Sequence, residues 1–172
     1  MEKVLLIQKE LFSDSCKFVK LVAGDLNLRE EILKEHSRRQ MLRITGWIGN
    51  NTERFSQLLD VFLHDQYRVV QRSAMVLGYT AEKYPEMVKP YLPKLVNRLY
   101  DSDIHVAVKR NVIRILQFIP IPEKLQAKVM NKCFEYLSDP NETVAVRCFS
   151  MTVLVKLAEK YPEIKNEISA SI

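Results

Sequence analysis

The residues with the clearest chemical potential are basic side chains that lie in segments without acids. Four segments, 37–48, 66–81, 104–122 and 143–158, contain no Asp or Glu. Their basic residues are Arg38, Arg39, Arg43, Arg68, Arg72, Lys109, Arg110, Arg114, Arg147 and Lys156. Lys and Arg bind phosphates and carboxylates, and nearby acids would neutralise them. The segments predict an anion-binding surface, provided that the fold brings them together.

Enzymatic chemistry has less support in the sequence. There is no P-loop and no G-x-G-x-x-G, G-x-S-x-G, H-E-x-x-H or C-x-x-C motif. His36, His64 and His105 lie in three separate predicted turns, where histidine side chains are usually solvated. Acid pairs such as Glu30 and Glu31 have basic neighbours, which favours salt bridges. We therefore expect no conventional enzyme, no catalytic residue, no metal site and no cofactor.

The cysteines and the N-terminal sequence bear on the compartment. Cys16, Cys133 and Cys148 are far apart, which indicates reduced, buried thiols in a cytoplasmic protein. The apolar run 4–7 is followed at once by polar and charged residues, so no signal peptide is expected. No apolar stretch approaches the roughly 20 residues of a membrane span. The sequence predicts a soluble, cytoplasmic protein that does not bind membranes.

The composition indicates a folded, helical protein. The chain has 172 residues, of which 47% are apolar and 27% charged, as in globular domains. Its four glycines and seven prolines are too few for the turns of an all-β fold. The net charge of +5 is compatible with nucleic acids, acidic proteins or anionic surfaces.

An internal repeat is the strongest signal of architecture. The hexapeptide Ala-Glu-Lys-Tyr-Pro-Glu occurs at 81–86 and again at 158–163. A shift of 38 residues also aligns apolar positions, including the column Val70, Val108 and Val146. These columns recur at helical spacings, so each lies on one buried stripe. Repetition at such a period predicts a stack of similar helical units.

Each unit is predicted to hold two helices, A and B, joined by a polar turn. The predicted A–B pairs cover 52–83, 86–119 and 122–160, with an upstream A helix at 28–36 and a B helix at 37–49. Asp, Ser and Asn in the turns 64–66, 101–103 and 138–141 are expected to cap the helices that follow.

The ends of the chain depart from the regular pattern. We expect one or two further helices within residues 2–23. Another A helix is expected after Pro162. We assign residues 1–172 to a single domain with irregular units at 1–50 and regular repeats at 52–163. Residues 164–172 are then a C-terminal cap or a truncated helix.

In these features the chain resembles the HEAT repeat family, which has an Asp in the turn followed by a Val-Arg pair. The corresponding residues are Asp65 with Val70-Gln71, Asp103 with Val108-Lys109, and Asn141 with Val146-Arg147. The resemblance implies an all-α fold, a HEAT-like α-α superhelix of about 4–5 units, with B helices along its concave side. It covers residues 52–163 well.

The resemblance implies that the acid-free segments form a concave basic row. The predicted binding residues are Arg38, Arg39, Arg43, Arg72, Lys109, Arg110, Arg114 and Arg147. Trp47 and Tyr79 are candidate stacking aromatics, and Arg43 lies four residues before Trp47, within reach of its ring. The alternative is structural: Lys109 and Arg147 would tie repeats together through Asp103 and neighbouring turns.

Two functions follow from this row. The first is a non-enzymatic scaffold that binds an acidic protein or peptide along the concave surface. The second is nucleic-acid binding, because some alkylpurine DNA glycosylases are similar HEAT-like solenoids with a basic groove. Their chemistry needs acids in that groove, and the B-helix segments have none, so no catalytic residue is assigned. The oligomeric state is left open.

Overall fold

The computed structural model describes residues 26–171, and these fold into helices joined by turns, without a strand. The α-helices are α1 (Leu28–Lys34), α2 (Arg38–Ile48), α3 (Thr52–His64), α4 (Tyr67–Lys83), α5 (Pro85–Val88), α6 (Leu92–Arg98), α7 (Val106–Leu116), α8 (Glu123–Ser138), α9 (Val144–Leu157) and α10 (Lys165–Ala170). Short 3-10 segments cover Lys89–Tyr91 and Pro162–Ile164. The all-α prediction is confirmed.

The helices form antiparallel A–B pairs. The A helices are α1, α3, α5 with α6, and α8, and the B helices are α2, α4, α7 and α9. The predicted boundaries agree with the observed pairs to within a few residues. The helices predicted within 2–23 lie outside the described residues, and the assignment of the whole chain to one domain stays a prediction.

The third A helix differs from the expected single helix. It begins at Pro85, passes through a 3-10 turn at Lys89–Tyr91 and continues as α6. Pro90 and Pro93 cause the interruption, because proline has no N–H to donate and its ring clashes with the preceding turn. The sequence pattern located the helix correctly but not its break.

The helix caps also differ from the predicted ones. Asn51 caps α3 by accepting a hydrogen bond from the N–H of Arg54, and Ser37 caps α2 in the same way. The N-cap residue of α7 is His105, whose Nδ1 accepts from the N–H of Ala107 at 3.0 Å. Neither α4 nor α9 has a side-chain cap. The prediction that the Asp, Ser and Asn of the three turns cap the next helices is therefore wrong.

The core is a continuous apolar layer between the A and B helices. Val70, Val108 and Val146 are all buried, as the column predicts. Leu77 and Ile115, about two turns further along the same helices as Val70 and Val108, are buried as well. The 38-residue register therefore places equivalent side chains at equivalent depths in successive units.

Neighbouring B helices pack side by side along the stack. Contacts between α4 and α7, and between α7 and α9, are more extensive than those between neighbouring A helices. This closer packing is what we expect if the B helices line the concave side, which stays a prediction. We call the exposed side of α2, α4, α7 and α9 the inner face.

Candidate binding face on the B helices

The B helices contain almost no acids. There is no Asp or Glu in α2, α7 or α9, and α4 has only Glu82, in its last turn. None of the four has an acid in its first turn, where the positive end of the helix dipole would favour one. The positive charge of the inner face is therefore not offset by acids on the same helices.

Two exposed arginines lie close together on α7. Arg110 and Arg114 are both exposed, and their spacing of four places them on the same side of the helix. Nη1 of Arg114 lies 3.9 Å from the position that a Cβ on Gly78 would take, so its guanidinium reaches across to α4. The exposed arginines of the inner face are Arg38, Arg39, Arg68, Arg110 and Arg114. Within residues 26–171 none of the five forms an ion pair.

Two members of the predicted row bind backbone carbonyls instead. Nη1 of Arg72 donates to the carbonyl oxygen of Leu33 at 2.7 Å, near the end of α1. Nε of Arg147 donates to the carbonyl oxygen of Leu137 at 3.1 Å, near the end of α8. Both side chains satisfy carbonyls that a helix C-terminus leaves unpaired. The sequence predicts Arg72 as a binding residue of the concave basic row, but its side chain is half-buried and already bonded to Leu33.

Lys109 has an acidic partner in the next repeat. Its Nζ forms an ion pair with Glu142, in the turn before α9, and lies 5.0 Å from the ring centre of Tyr136. The structural interpretation of Lys109 as a tie between repeats therefore holds, but with Glu142 in place of Asp103. Asp103 is bound instead by Arg98, at 2.9 Å.

Arg43 is also neutralised, by Glu31 of α1 at 3.0 Å. Burial alone would raise the pKa of Glu31, but hydrogen bonds from Lys34 and Gln40 and the charge of Arg43 hold that pKa below its ordinary value. Glu31 is therefore ionised and ties α1 to α2. Of the eight predicted binding residues, those without such ties are Arg38, Arg39, Arg110 and Arg114.

The candidate stacking aromatics are not open to a ligand. Trp47 is only 7% exposed. The guanidinium that lies over its ring, 4.6 Å from the centroid, belongs to Arg54, which also donates to the Trp47 carbonyl at 2.6 Å. The predicted contact between Arg43 and Trp47 is therefore replaced by one with Arg54. Tyr79 is half-buried and packs against the core.

The comparison with family models agrees with this architecture. The model described as a HEAT repeat domain matches residues 28–172. The chain belongs to the HEAT repeat family. No curated protein and no solved structure matches it significantly. The resemblance to alkylpurine DNA glycosylases thus has no support from these comparisons, whereas the HEAT assignment makes the chain a helical repeat module.

Two histidines of this HEAT module contact neighbouring side chains. His64 Nδ1 lies 3.0 Å from Oδ1 of Asp60, and the His105 ring packs against Tyr67 with centroids 4.5 Å apart and a tilt of 53° between the rings. Residues 26–171 contain no group of His, Cys, Asp and Glu arranged to hold a metal ion. None of the helices described there has the length and apolarity of a membrane span.

The two described cysteines have different surroundings. Cys133 is buried, and desolvation raises its pKa to about 12. Cys148 is exposed on α9, so the expectation that the cysteines are buried is wrong for this residue. The period could have indicated this exposure, because the 38-residue equivalent of Cys148 is Arg110, which is exposed as well.

Proposed function

We propose that this chain is a non-enzymatic HEAT-repeat binding module that binds an acidic protein segment on its inner face. The observation that supports it most directly is the pair Arg110 and Arg114. Both side chains are exposed on a helix without acids, and neither has an ion-pair partner within residues 26–171. Two like charges one turn apart repel each other. An anionic ligand would therefore offset an electrostatic repulsion that is present in the unbound chain.

The contrast with the other basic residues strengthens this proposal. Arg43, Arg72, Lys109 and Arg147 each have a bonding partner within the chain, which accounts for their presence. Within residues 26–171 the exposed arginines have no such partner. Their charges add over one surface and raise its potential, which attracts anions and speeds association.

Nucleic-acid binding is the second candidate. Tyr67 favours it, because this aromatic side chain is 55% exposed and adjoins Arg68 on the inner face. A base could stack on such a ring while the arginine binds a phosphate. Against it, α9 has no exposed basic side chain, so the charge does not continue along the whole face.

Binding of two polyanions at two salt concentrations tests the proposal. The probes are a fluorescein-labelled peptide of about twelve residues rich in glutamate, long enough to cross the B helices, and DNA in single-stranded and duplex form. We expect the peptide to bind, with the weaker dependence on salt. Tighter binding of DNA, with affinity falling linearly in log–log terms with salt, would favour the second candidate. Failure to bind either would contradict an anion-binding face.

A further inference from the structure

The exposed side of α9 differs in chemistry from that of the other B helices. Val144 is 76% exposed and Val155 is 54% exposed, and between them Cys148 and Thr152 are exposed too. Their spacings of four, four and three place all four on one side of the helix. We call these four residues the α9 stripe. An exposed apolar stripe on a helix that already packs its other side into the core is a mark of an interaction site.

The charges of α9 do not reach this stripe. The helix has only two charged residues, Arg147 and Lys156. Nζ of Lys156 donates to the carbonyl oxygens of Gln117 and Ile119, both at 3.1 Å, and Arg147 donates to Leu137. Both cations therefore serve the ends of neighbouring helices, and the stripe itself stays neutral.

The α9 stripe continues the same surface as the exposed arginines. Cys148 is 38 residues after Arg110, and Val144 is 38 residues after the exposed Val106. Because α7 and α9 pack side by side, these equivalent positions place the α9 stripe next to the exposed side of α7, which carries Val106, Arg110 and Arg114. The inner face therefore has its exposed arginines on α2, α4 and α7, whereas the exposed side of α9 has two valines and no charge.

We propose that the partner is a protein segment in which acidic residues are followed directly by apolar ones. The acidic part would contact Arg110, Arg114 and the arginines before them, and the apolar part would cover Val144 and Val155. This inference rests on the proposed function and deepens it. Neighbouring B helices lie about 8–10 Å apart, so an extended chain, at about 3.3 Å per residue, passes from α7 to α9 in about three residues. The two parts of the segment must be adjacent.

Charge selects this occupant over others. A second copy of the chain, with net charge +5, would bring its own exposed arginines against the first set. Residues 1–25 contain four acidic and four basic residues, so they offer no net charge to attract. A flat anionic bilayer suits basic and apolar groups, but it fits the inner side of a curved stack poorly.

Two peptides of about twelve residues separate the contribution of the acidic part to binding from that of the apolar part. One is a run of glutamates followed by alternating Leu and Ser, and in the other each Leu is replaced by Ser. The full chain should bind the Leu peptide about tenfold more tightly. In Val144→Ser/Val155→Ser the two affinities should become equal, with that of the Ser peptide unchanged. Leu42→Ser, an exposed apolar change on α2, is the control and should keep the difference.

A second measurement needs no variant. Mass spectrometry of the wild-type chain measures how fast Cys148, which lies within the α9 stripe, is alkylated. The Leu peptide at saturation should slow this reaction more than the Ser peptide does. Slowing by both peptides equally would contradict an apolar contact at α9.

The outcomes distinguish this inference from the function on which it rests. If wild-type protein binds both peptides equally, or if the serine variant keeps the difference, the inference is wrong while the acidic-segment proposal stands. If neither peptide binds, the proposed function itself fails. Binding to phosphatidylserine vesicles that the serine variant loses would overturn the inference in favour of a membrane. A concentration-dependent dimer lost in that variant would overturn it in favour of a second copy.

Discussion

Lys109 of α7 and Glu142 in the turn before α9 form an ion pair that joins two successive repeats. The Glu142 side chain is only 5% exposed, and its carboxylate is held by Lys109 and by the N–H of Thr143, which donates to it at 2.8 Å. Lys109 stands at the position of the family's Arg, and Glu142 directly follows Asn141, which stands at the position of its turn Asp. This chain keeps the tie between repeats with different residues.

Removal of Lys109 should therefore destabilise the stack. Lys109→Met leaves the Glu142 carboxylate buried without its cationic partner, which should lower the free energy of unfolding by about 1–3 kcal/mol. Adding Glu142→Gln should recover part of this loss, because the neutral amide costs less to bury. Urea denaturation measures both. An unchanged midpoint for Lys109→Met would show that the pair contributes nothing.

The valine column gives a second stability prediction. Val108→Ala removes two buried methyl groups and leaves a cavity, which should cost about 1–3 kcal/mol. Val144→Ala is the matched control, because this valine is exposed on the equivalent helix of the next unit. It should change the free energy of unfolding by less than about 0.5 kcal/mol. Equal effects of the two substitutions would mean that the register is wrong.

Gly78 offers a stabilising change. Glycine in a helix interior costs about 1 kcal/mol relative to alanine, and Gly78 lies within α4. A Cβ added there meets nothing closer than Nη1 of Arg114, at 3.9 Å. Gly78→Ala should therefore raise the free energy of unfolding by about 0.5–1 kcal/mol. A lower melting temperature for this variant would indicate a tighter approach of α7 to α4.

The cysteines should react at very different rates. At about pH 8 the buried Cys133, with its pKa of about 12, is a neutral thiol shielded from reagents. Cys148 is exposed. Iodoacetamide should therefore modify Cys148 in the folded chain and Cys133 only after denaturation, as peptide mapping by mass spectrometry would show. Modification of both at similar rates without denaturant would contradict the described burial.

Much of the fold was predictable because burial repeats with the helix period. Val70, Val108 and Val146 follow from the 38-residue shift alone, and prolines near the helix ends locate the boundaries. The break at Lys89–Tyr91 was missed because the apolar pattern continues through Pro90 and does not report the lost N–H donor.

The roles of the basic residues were less predictable. Arg72 and Arg110 are equivalent in the repeat, yet one bonds to Leu33 and the other is exposed. The difference comes from the neighbour, since the short helix α1 ends within reach of Arg72. Arg54 reaches Trp47 across a turn, whereas spacing within one helix pointed to Arg43. Periodicity indicates the face of a side chain, and tertiary packing determines its partner.

The central claim, that Arg110 and Arg114 bind an acidic segment, is tested most directly by comparing two charge-reversal variants that have the same net charge. Arg110→Glu/Arg114→Glu is compared with Lys94→Glu/Lys124→Glu, which changes two exposed lysines on the A helices α6 and α8. Circular dichroism should show unchanged helix content in both. Fluorescence anisotropy with the glutamate-rich peptide should give at least about tenfold weaker binding for the arginine variant only. Equal affinities in the two variants would contradict a localised binding face.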